Sequence, residues 1–121
     1  MANPIVHFEI IGKDGKKAQK FYGDLFGWKV DANNPMNYGM VAAGAKNGIA
    51  GGIGGSQPGE HPRVTVYAEV DDPQKYLDKA IKMGGKLLMP VTEIPGAVTM
   101  AMFADPDGNT FGLVKAGSMQ R

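Results

Sequence analysis

The chain has 121 residues with 13 basic and 12 acidic side chains, and its formal net charge of +1 does not predict binding to a nucleic-acid backbone. It contains no cysteine, which excludes disulfides, thiol catalysis and thiolate metal sites. No apolar run approaches the ~20 residues that cross a bilayer, so we expect no membrane partner. The N-terminal Met-Ala-Asn-Pro lacks the features of a signal peptide, and we therefore expect a cytoplasmic protein.

The first half of the sequence predicts a strand, a helix and three further strands. Residues 5–11 alternate and are rich in β-branched side chains, which is typical of a strand. The period becomes helical after Asp14, a capping residue, and Gly27 is typical of a helix end. The apolar stripe of this helix consists of Ala18, Phe21, Tyr22, Leu25 and Phe26. Strands are predicted at 28–30, 38–43 and 48–54.

The second half repeats this order after a linker at 56–62. The strand 63–70 precedes Asp72 and Pro73, a cap followed by proline at the first helical position. The helix is predicted to end at Gly84 and Gly85. Three strands are predicted at 86–91, 98–104 and 109–115, the last two joined by the turn 105–109. A gapless overlay at an offset of 58 residues predicts an internal β-α-β-β-β repeat, with modules 5–55 and 63–115 in one domain, 1–121.

Four segments carry a resemblance to a known family. They are His-Phe-Glu-Ile at 7–10, Lys-Phe-Tyr-Gly-Asp-Leu-Phe-Gly-Trp at 20–28, Met-Gly-Gly at 83–85 and Asp-Pro-Asp-Gly-Asn at 105–109. Together they resemble the vicinal oxygen chelate superfamily, which includes glyoxalase I, extradiol dioxygenases and bleomycin-resistance proteins. The resemblance implies an α+β fold in which two βαβββ modules form a curved mixed sheet around a cavity for a small molecule. The modules would pair within one chain or across a homodimer.

The resemblance also implies where a divalent metal would bind. Catalytic members hold it with up to four ligands, two on the first strands and two on the last strands of the modules. Those positions match His7, Thr65, Gly54 and Gly112, of which only His7 is a good ligand. Because a divalent site normally needs three or more His or carboxylate ligands, the sequence predicts that this site and its metal cofactor are absent. The alternative is a relocated site formed by His7, Glu9 and Glu69.

The same comparison gives candidate binding and catalytic residues. The candidates for binding a ligand are Tyr38, Met40, Gly54, Thr65, Tyr67, Met100, Met102 and Gly112. For the methionines, the alternative is core packing. His7 and Glu9 lie at i and i+2 of one strand and therefore share a face, which suits a general-base pair. The alternative is a histidine that is simply hydrogen-bonded in a polar sheet face.

Three functions are therefore predicted as alternatives. The first is a protein that binds a small organic molecule without metal. The second is a lyase or isomerase that uses His7 and Glu9, with or without the relocated metal, and the third is a structural role with a vestigial cavity. We also expect a homodimer, because an open module edge would leave backbone groups unpaired.

Overall fold

The computed structural model of the chain describes residues 2–95 and 98–118. It divides the chain into two compact units, His7–Thr65 and Met1–Val6 with Val66–Arg121. We call them the His7 unit and the Tyr67 unit. No helix in the described ranges is long and apolar enough to cross a membrane.

The His7 unit contains one helix packed on a small mixed sheet. Its elements are β1 (Ile5–Gly12, which begins in the other unit), α1 (Gly15–Phe26), β2 (Val30–Asp31), β3 (Gly39–Val41) and β4 (Ala50–Gly55). The strand order is β2-β3-β4-β1, with β1 and β4 parallel and the other pairs antiparallel. The strand predicted at 28–30 is found at Val30–Asp31, as β2. Trp28 lies before it and packs its ring against Phe8 and Phe26.

The Tyr67 unit repeats that connectivity. Its elements are β5 (Arg63–Val70, which begins in the other unit), α2 (Pro73–Lys82), β6 (Lys86–Ile94), β7 (Val98–Ala104) and β8 (Thr110–Lys115). The order is β5-β8-β7-β6, with β5 and β8 parallel. The N-terminal segment belongs to this unit, where the Pro4 carbonyl accepts a hydrogen bond from the Glu69 amide at 2.9 Å. The predicted α+β class and the two βαβββ modules are confirmed.

Short polar side chains fix the helix starts and the late turn, as the sequence predicts. The side chains of Asp14 and Asp72 each accept from the backbone amide three residues on, and Gly27 ends α1 in the left-handed region at φ 70°. In the turn before β8, Asp105 accepts from two backbone amides and from the side chain of Asn109 at 2.9 Å. That side-chain hydrogen bond from Asn109 is the main reason that the pKa of Asp105 is lowered.

The predicted apolar stripe of α1 does not become a buried face. No residue of α1 is buried, and Phe21, Leu25 and Phe26 are each more than half exposed in this chain. The aromatic rings instead contact one another: Tyr22 stacks on Trp28 with the ring centroids 6.3 Å apart. The helix is anchored to β4 at another point, where Gly15 lies so close to Gly55 that a side chain at position 15 would strike the β4 backbone.

The gapless overlay of the two modules is wrong for their last strands. Glu9 of β1 lies opposite Gly52 of β4, and Tyr67 of β5 lies opposite Gly112 of β8. Glu9 and Tyr67 are 58 residues apart, whereas Gly52 and Gly112 are 60 apart. The first module is therefore two residues shorter between its first and last strands. The counterpart of Gly112 is Gly52, and not Gly54 as the overlay predicts.

Candidate functional site

Polar side chains collect on one face of the sheet in the His7 unit. His7 and Glu9 of β1 are each only 9% exposed and share this face because they lie two residues apart. Directly across from Glu9 lie Gly52 of β4 and then Met40 of β3, so these residues form one cross-strand row. Met40 is 44% exposed. The sheet therefore presents a buried imidazole and carboxylate beside a strip of glycine.

That glycine strip is covered by the ring of Tyr38. A Cβ atom at Gly52 would overlap the Tyr38 ring and its hydroxyl oxygen, and one at Gly54 would lie 3.2 Å from Tyr38 Cδ1. On the opposite face of the sheet, Gly51 makes the same kind of room for the ring of Phe8. The glycine-rich sequence of β4 thus lets aromatic rings lie flat on the strand, which explains why so weak a strand former is used there.

The backbone of Tyr38 is held by neighbouring side chains. The side chain of Asn34 accepts from the Tyr38 amide at 2.9 Å and donates to the Tyr38 carbonyl at 2.7 Å. Gln19 of α1 donates both to the carbonyl of Asn37, at 3.0 Å, and to the carbonyl of Ile53, at 2.8 Å. The loop before β3 is therefore fastened to the helix and to the sheet, which fixes the direction of the phenol ring.

A hydrogen-bonded chain links four side chains on this face. His7 Nε2 lies 2.9 Å from the Tyr38 hydroxyl, and that hydroxyl donates to Glu9 Oε2 at 3.0 Å. Arg63, at the start of β5, donates to Glu9 Oε1 at 2.9 Å and also lies 3.6 Å from a carboxylate oxygen of Glu60. Both oxygens of the Glu9 carboxylate are thus engaged by donors from the same unit.

The electrostatics of this chain favour a neutral imidazole. Burial lowers the pKa of His7 from its ordinary 6.5, and the negative charge of Glu9 opposes that shift without cancelling it. Glu9, whose charge acts on His7, is itself paired with Arg63, and Arg63 is also paired with Glu60. At neutral pH the ring is therefore uncharged and has one N–H donor and one acceptor nitrogen.

Sequence reasoning missed Arg63 and the partnership of His7 with Tyr38. Arg63 lies two residues before Thr65 and therefore on the same face of β5. This two-residue spacing is the signal in the sequence by which Arg63 could have been identified. Thr65 is 2% exposed, and its hydroxyl has no hydrogen-bond partner among the protein atoms described. A buried hydroxyl without a partner is unfavourable, so Thr65 is a second feature of this face that stability alone does not explain.

The remaining predicted residues lie in the Tyr67 unit and pack as core. Tyr67, Met102 and Val114 are nearly fully buried, with Met100 packed against them. The Tyr67 hydroxyl lies 3.9 Å from Met102 Sδ, and the Tyr67 ring covers Gly112, where a Cβ would overlap it. The structure thus brings the predicted residues His7, Glu9, Tyr38, Met40, Gly54 and Thr65 together in one unit, and it places Tyr67, Met100, Met102 and Gly112 in the other.

The side chains do not fit the divalent metal that the family implies. The imidazole at the first-strand position is hydrogen-bonded to Tyr38, and the last-strand position is Gly52, which has no donor and lies under the Tyr38 ring. Within residues 2–95 and 98–118, no group of three or more His, Cys, Asp or Glu side chains could hold a metal ion. Glu69, the third residue of the alternative set, belongs to the Tyr67 unit.

Comparisons with known proteins agree with this fold. The family model described as the Glyoxalase/Bleomycin resistance protein/Dioxygenase superfamily matches residues 4–113. The chain belongs to this superfamily, as its sequence motifs predict.

Two curated relatives are longer than this chain. It is 36% identical over 109 residues to the putative glyoxylase CFP32 of Mycobacterium bovis, which covers 85% of this chain and 42% of that protein. It is 29% identical over 129 residues to the anthracycline biosynthesis protein DnrV of Streptomyces peucetius, covering 93% of this chain and 47% of that protein. The chain therefore spans less than half the length of these relatives.

A solved structure with the same fold is a Streptomyces coelicolor methylmalonyl-CoA epimerase variant in complex with 2-nitronate-propionyl-CoA. The two chains superpose with a TM-score of 0.62 at 14% identity, covering 98% of this chain and 100% of the epimerase. At that identity the likeness shows the fold alone.

Proposed function

We propose that this chain is a superfamily member that binds a small organic molecule without a metal ion, through the polar face formed by His7, Glu9 and Tyr38. The observation that carries the proposal is the hydrogen-bonded chain from Arg63 to His7. Small-molecule sites are mostly apolar, with a few fixed polar groups that orient the ligand. A buried imidazole held by a phenol has that character.

The engagement of the carboxylate supports the metal-free part of the proposal. A metal bound by Glu9 would compete with the Tyr38 hydroxyl and the Arg63 guanidinium for the two carboxylate oxygens. Displacing Arg63 would separate an ion pair whose side chains are only 22% and 12% exposed, which costs free energy. Metal binding at His7 alone offers too few ligands to repay that cost.

The proposal extends to the setting of the protein. It assigns the modules 5–55 and 63–115 to one domain that acts as a cytoplasmic homodimer. The polar ligand contacts are assigned to the His7 unit, whereas Tyr67, Met100 and Met102 are assigned to core packing on the basis of their burial.

A second candidate function is catalysis of a proton transfer by His7. Its support is the lowered pKa of the buried imidazole, which keeps the ring neutral at physiological pH and able to accept a proton. Tyr38 connects that ring to the negative charge of Glu9, which would stabilise the imidazolium once it forms. This candidate describes a lyase or isomerase that needs no metal.

The test uses tag-free protein, because a polyhistidine tag binds metal. The protein is dialysed in turn against Zn²⁺, Ni²⁺ and Fe²⁺ and its metal content is measured. Three probes follow by calorimetry, each with EDTA and with Zn²⁺: an anthracycline aglycone, a coenzyme A thioester and the hemithioacetal of methylglyoxal and glutathione. We expect far less than one metal per chain, and the same Kd with and without EDTA for a probe that binds.

Two variants separate the candidates. His7→Ala should weaken probe binding by about tenfold or more, as expected for loss of a buried polar contact, whereas His61→Ala changes an exposed histidine and should not weaken it. One tightly bound metal per chain that His7→Ala removes would overturn the metal-free proposal. Turnover of a probe that His7→Ala abolishes while its affinity is kept would favour catalysis over binding.

A further inference from the structure

The outward side of α1 carries large apolar side chains that stay exposed in this chain. Phe21, Leu25 and Phe26 are 60%, 58% and 57% exposed, and we call these three side chains the Phe21 face. The helix contacts its own sheet through other residues: Gly15 lies against β4, and Gln19 donates to a carbonyl of β4. Because successive residues are about 100° apart around a helix, Phe21 points away from the side that carries Gln19.

The exposed rings of this face are held in place by other rings. Phe21 packs edge-on against Tyr22 with the ring centroids 5.1 Å apart, and the centroid of Phe26 lies 5.0 Å from that of Trp28. Trp28 in turn contacts Phe8 of β1. Apolar groups that stay exposed side by side mark contact surfaces, and a side chain already held in place loses little freedom on binding.

The charges of α1 are separated along its axis. Lys16, Lys17 and Lys20 lie in its first half, and Asp24 is the only charged residue of its second half. Lys16 and Lys17 lie in the first turn, at the positive end of the helix dipole, where a cation is unfavourable and where α1 has no acidic residue. The negative end of a second helix would relieve this arrangement.

A second copy of this chain offers such a negative end next to the same apolar side chains. We propose that two copies form a symmetric dimer in which their α1 helices pack antiparallel through the Phe21 face. With the two-fold axis at Phe21, Lys17 of each copy lies level with Asp24 and Leu25 of the other. This inference rests on the homodimer of the proposed function, and it names the surface that forms that homodimer.

The separation of charge favours a second copy over an anionic membrane as the occupant of this surface. An interfacial helix has lysines along the whole border of its apolar side. In α1 the exposed apolar side chains instead lie in the half whose only charge is Asp24, and anionic lipids would repel that carboxylate. A second α1 in antiparallel orientation places a lysine there.

The Phe21 face and the polar side chains of the candidate site lie on opposite sides of the sheet. Phe8 follows His7 in β1 and therefore points to the other face, where Trp28 and then Phe26 pack. Substitutions in the Phe21 face therefore leave the His7 side unchanged.

The first measurement is the mass of the tag-free chain by sedimentation equilibrium at micromolar concentrations. We expect the mass of two chains. Trp28 is the only tryptophan, and its ring contacts Phe26. Its fluorescence emission should therefore shift over the range of dilution in which the two copies separate.

Substitutions in the Phe21 face test whether this surface forms the dimer. Phe21→Glu and Leu25→Glu should each raise the dissociation constant of the dimer by about a hundredfold, because a symmetric interface contains each substitution twice. Met83→Glu is the matched control, since Met83 is 70% exposed at the end of the other helix, and it should leave the constant unchanged. Circular dichroism checks that each variant is folded.

Charge reversal tests the antiparallel orientation. Lys17→Glu and Asp24→Lys each place like charges opposite one another across the two-fold axis and should raise the dissociation constant by about fivefold or more. The double variant restores opposite charges and should recover the wild-type constant. Seven residues apart, positions 17 and 24 are separated by about 10 Å along their own helix, so recovery reports a contact between copies.

The inference is overturned if the chain is a monomer at these concentrations, if both glutamate variants stay dimeric, or if the double charge variant fails to recover what the single variants lose. Binding of a monomeric chain to phosphatidylserine vesicles that Phe21→Glu abolishes would assign the face to a membrane instead. Failure of this inference is distinguishable from failure of ligand binding. A monomer that binds a probe overturns the dimer alone, and a dimer that binds none overturns the ligand proposal alone.

Discussion

The His7 unit and the Tyr67 unit share one packing arrangement, but the tyrosine hydroxyl has a different kind of partner in each. In each, a glycine of the last strand lies opposite the first strand and is covered by a tyrosine ring: Gly52 by Tyr38, and Gly112 by Tyr67. The Tyr38 hydroxyl joins a carboxylate and an imidazole, whereas the Tyr67 hydroxyl lies against a methionine sulfur at 3.9 Å.

The two modules also differ in the side chains that their first strands place at matching positions. The first strands contribute His7 and Glu9 in one module, and Thr65 and Tyr67 at the matching positions of the other. Tyr67 is 3% exposed and packs in an apolar cluster. The His7 side keeps buried polar groups that cost free energy to bury, and such groups are typical of a site rather than a core.

The largest expected effect comes from adding a methyl group beneath each tyrosine. Gly112→Ala should lower the free energy of unfolding by about 3 kcal/mol, because Tyr67 is buried on all sides and cannot move away. Gly52→Ala should cost less, about 2 kcal/mol, because the ring of Tyr38 is only partly buried and can tilt towards solvent even though Asn34 holds its backbone. Urea denaturation measures both values.

Gly54→Ala is the matched control for this pair. It lies in the same strand as Gly52, but its Cβ would be 3.2 Å from the Tyr38 ring, a distance that a small shift relieves. Equal losses for Gly112→Ala and Gly52→Ala would contradict the distinction between a core tyrosine and a site tyrosine.

The next largest effect concerns the ion pair between Arg63 and Glu9 in the His7 unit. Arg63→Met should lower the free energy of unfolding by about 2 kcal/mol, since it leaves the carboxylate of Glu9 buried without its cation. The double variant with Glu9→Gln should recover part of the loss. Both are measured by urea denaturation at neutral pH.

The surface pair of Lys20 and Asp24 provides the control for Arg63. Its side chains are 79% and 69% exposed, so Lys20→Met should change stability far less than Arg63→Met. If the two variants behaved alike, the hydrogen-bonded chain on the His7 face would be no more than a surface ion pair.

The smallest effect is a pH dependence located at His7. Because burial lowers its pKa below 6.5, the unfolded chain binds more protons than the folded chain at acidic pH. The stabilising contribution of the neutral ring is therefore fully present above about pH 6.5 and is lost as the pH falls through the lower, folded pKa. Urea denaturation from pH 8 to pH 5 measures it, with His7→Gln expected to lack that part of the slope.

His61→Gln is the companion variant for the pH series. His61 is exposed, and the part of the slope that comes from burial of His7 should remain when His61 is replaced. If His61→Gln, and not His7→Gln, removed this part of the slope of stability against pH, the assignment to His7 would be wrong. The matching position in the other module is Thr65, which does not titrate in this range.

The sequence was sufficient for the fold because local signals and family motifs agree. Alternation, the Asp caps and the glycine helix ends predict the strands and both helices, and β5 and β7 occur at their predicted bounds. The gapless overlay matched Gly112 with Gly54 instead of Gly52. Because β4 contains several glycines, a shift of two residues between the modules cannot be recognised from the sequence. The sequence predicted an apolar stripe on α1, but periodicity does not show which surface covers that stripe.

The site was only partly predictable for a physical reason. His7 and Glu9 share a strand, so their common face follows from the two-residue period. Their partners Tyr38 and Arg63 are 31 and 54 residues away from them along the chain, at distances where neither periodicity nor spacing carries information. The direction of the Tyr38 ring depends on Asn34 and Gln19, whose roles appear only once the loop has folded.

The hydrogen bond between the Pro4 carbonyl and the Glu69 amide has a consequence for how this chain could be divided. Residues at the very beginning belong with those after Val66, so scission within 56–62 would produce a C-terminal fragment that lacks its own edge partner. The bounds of the two repeats in the sequence therefore do not coincide with those of the two compact units.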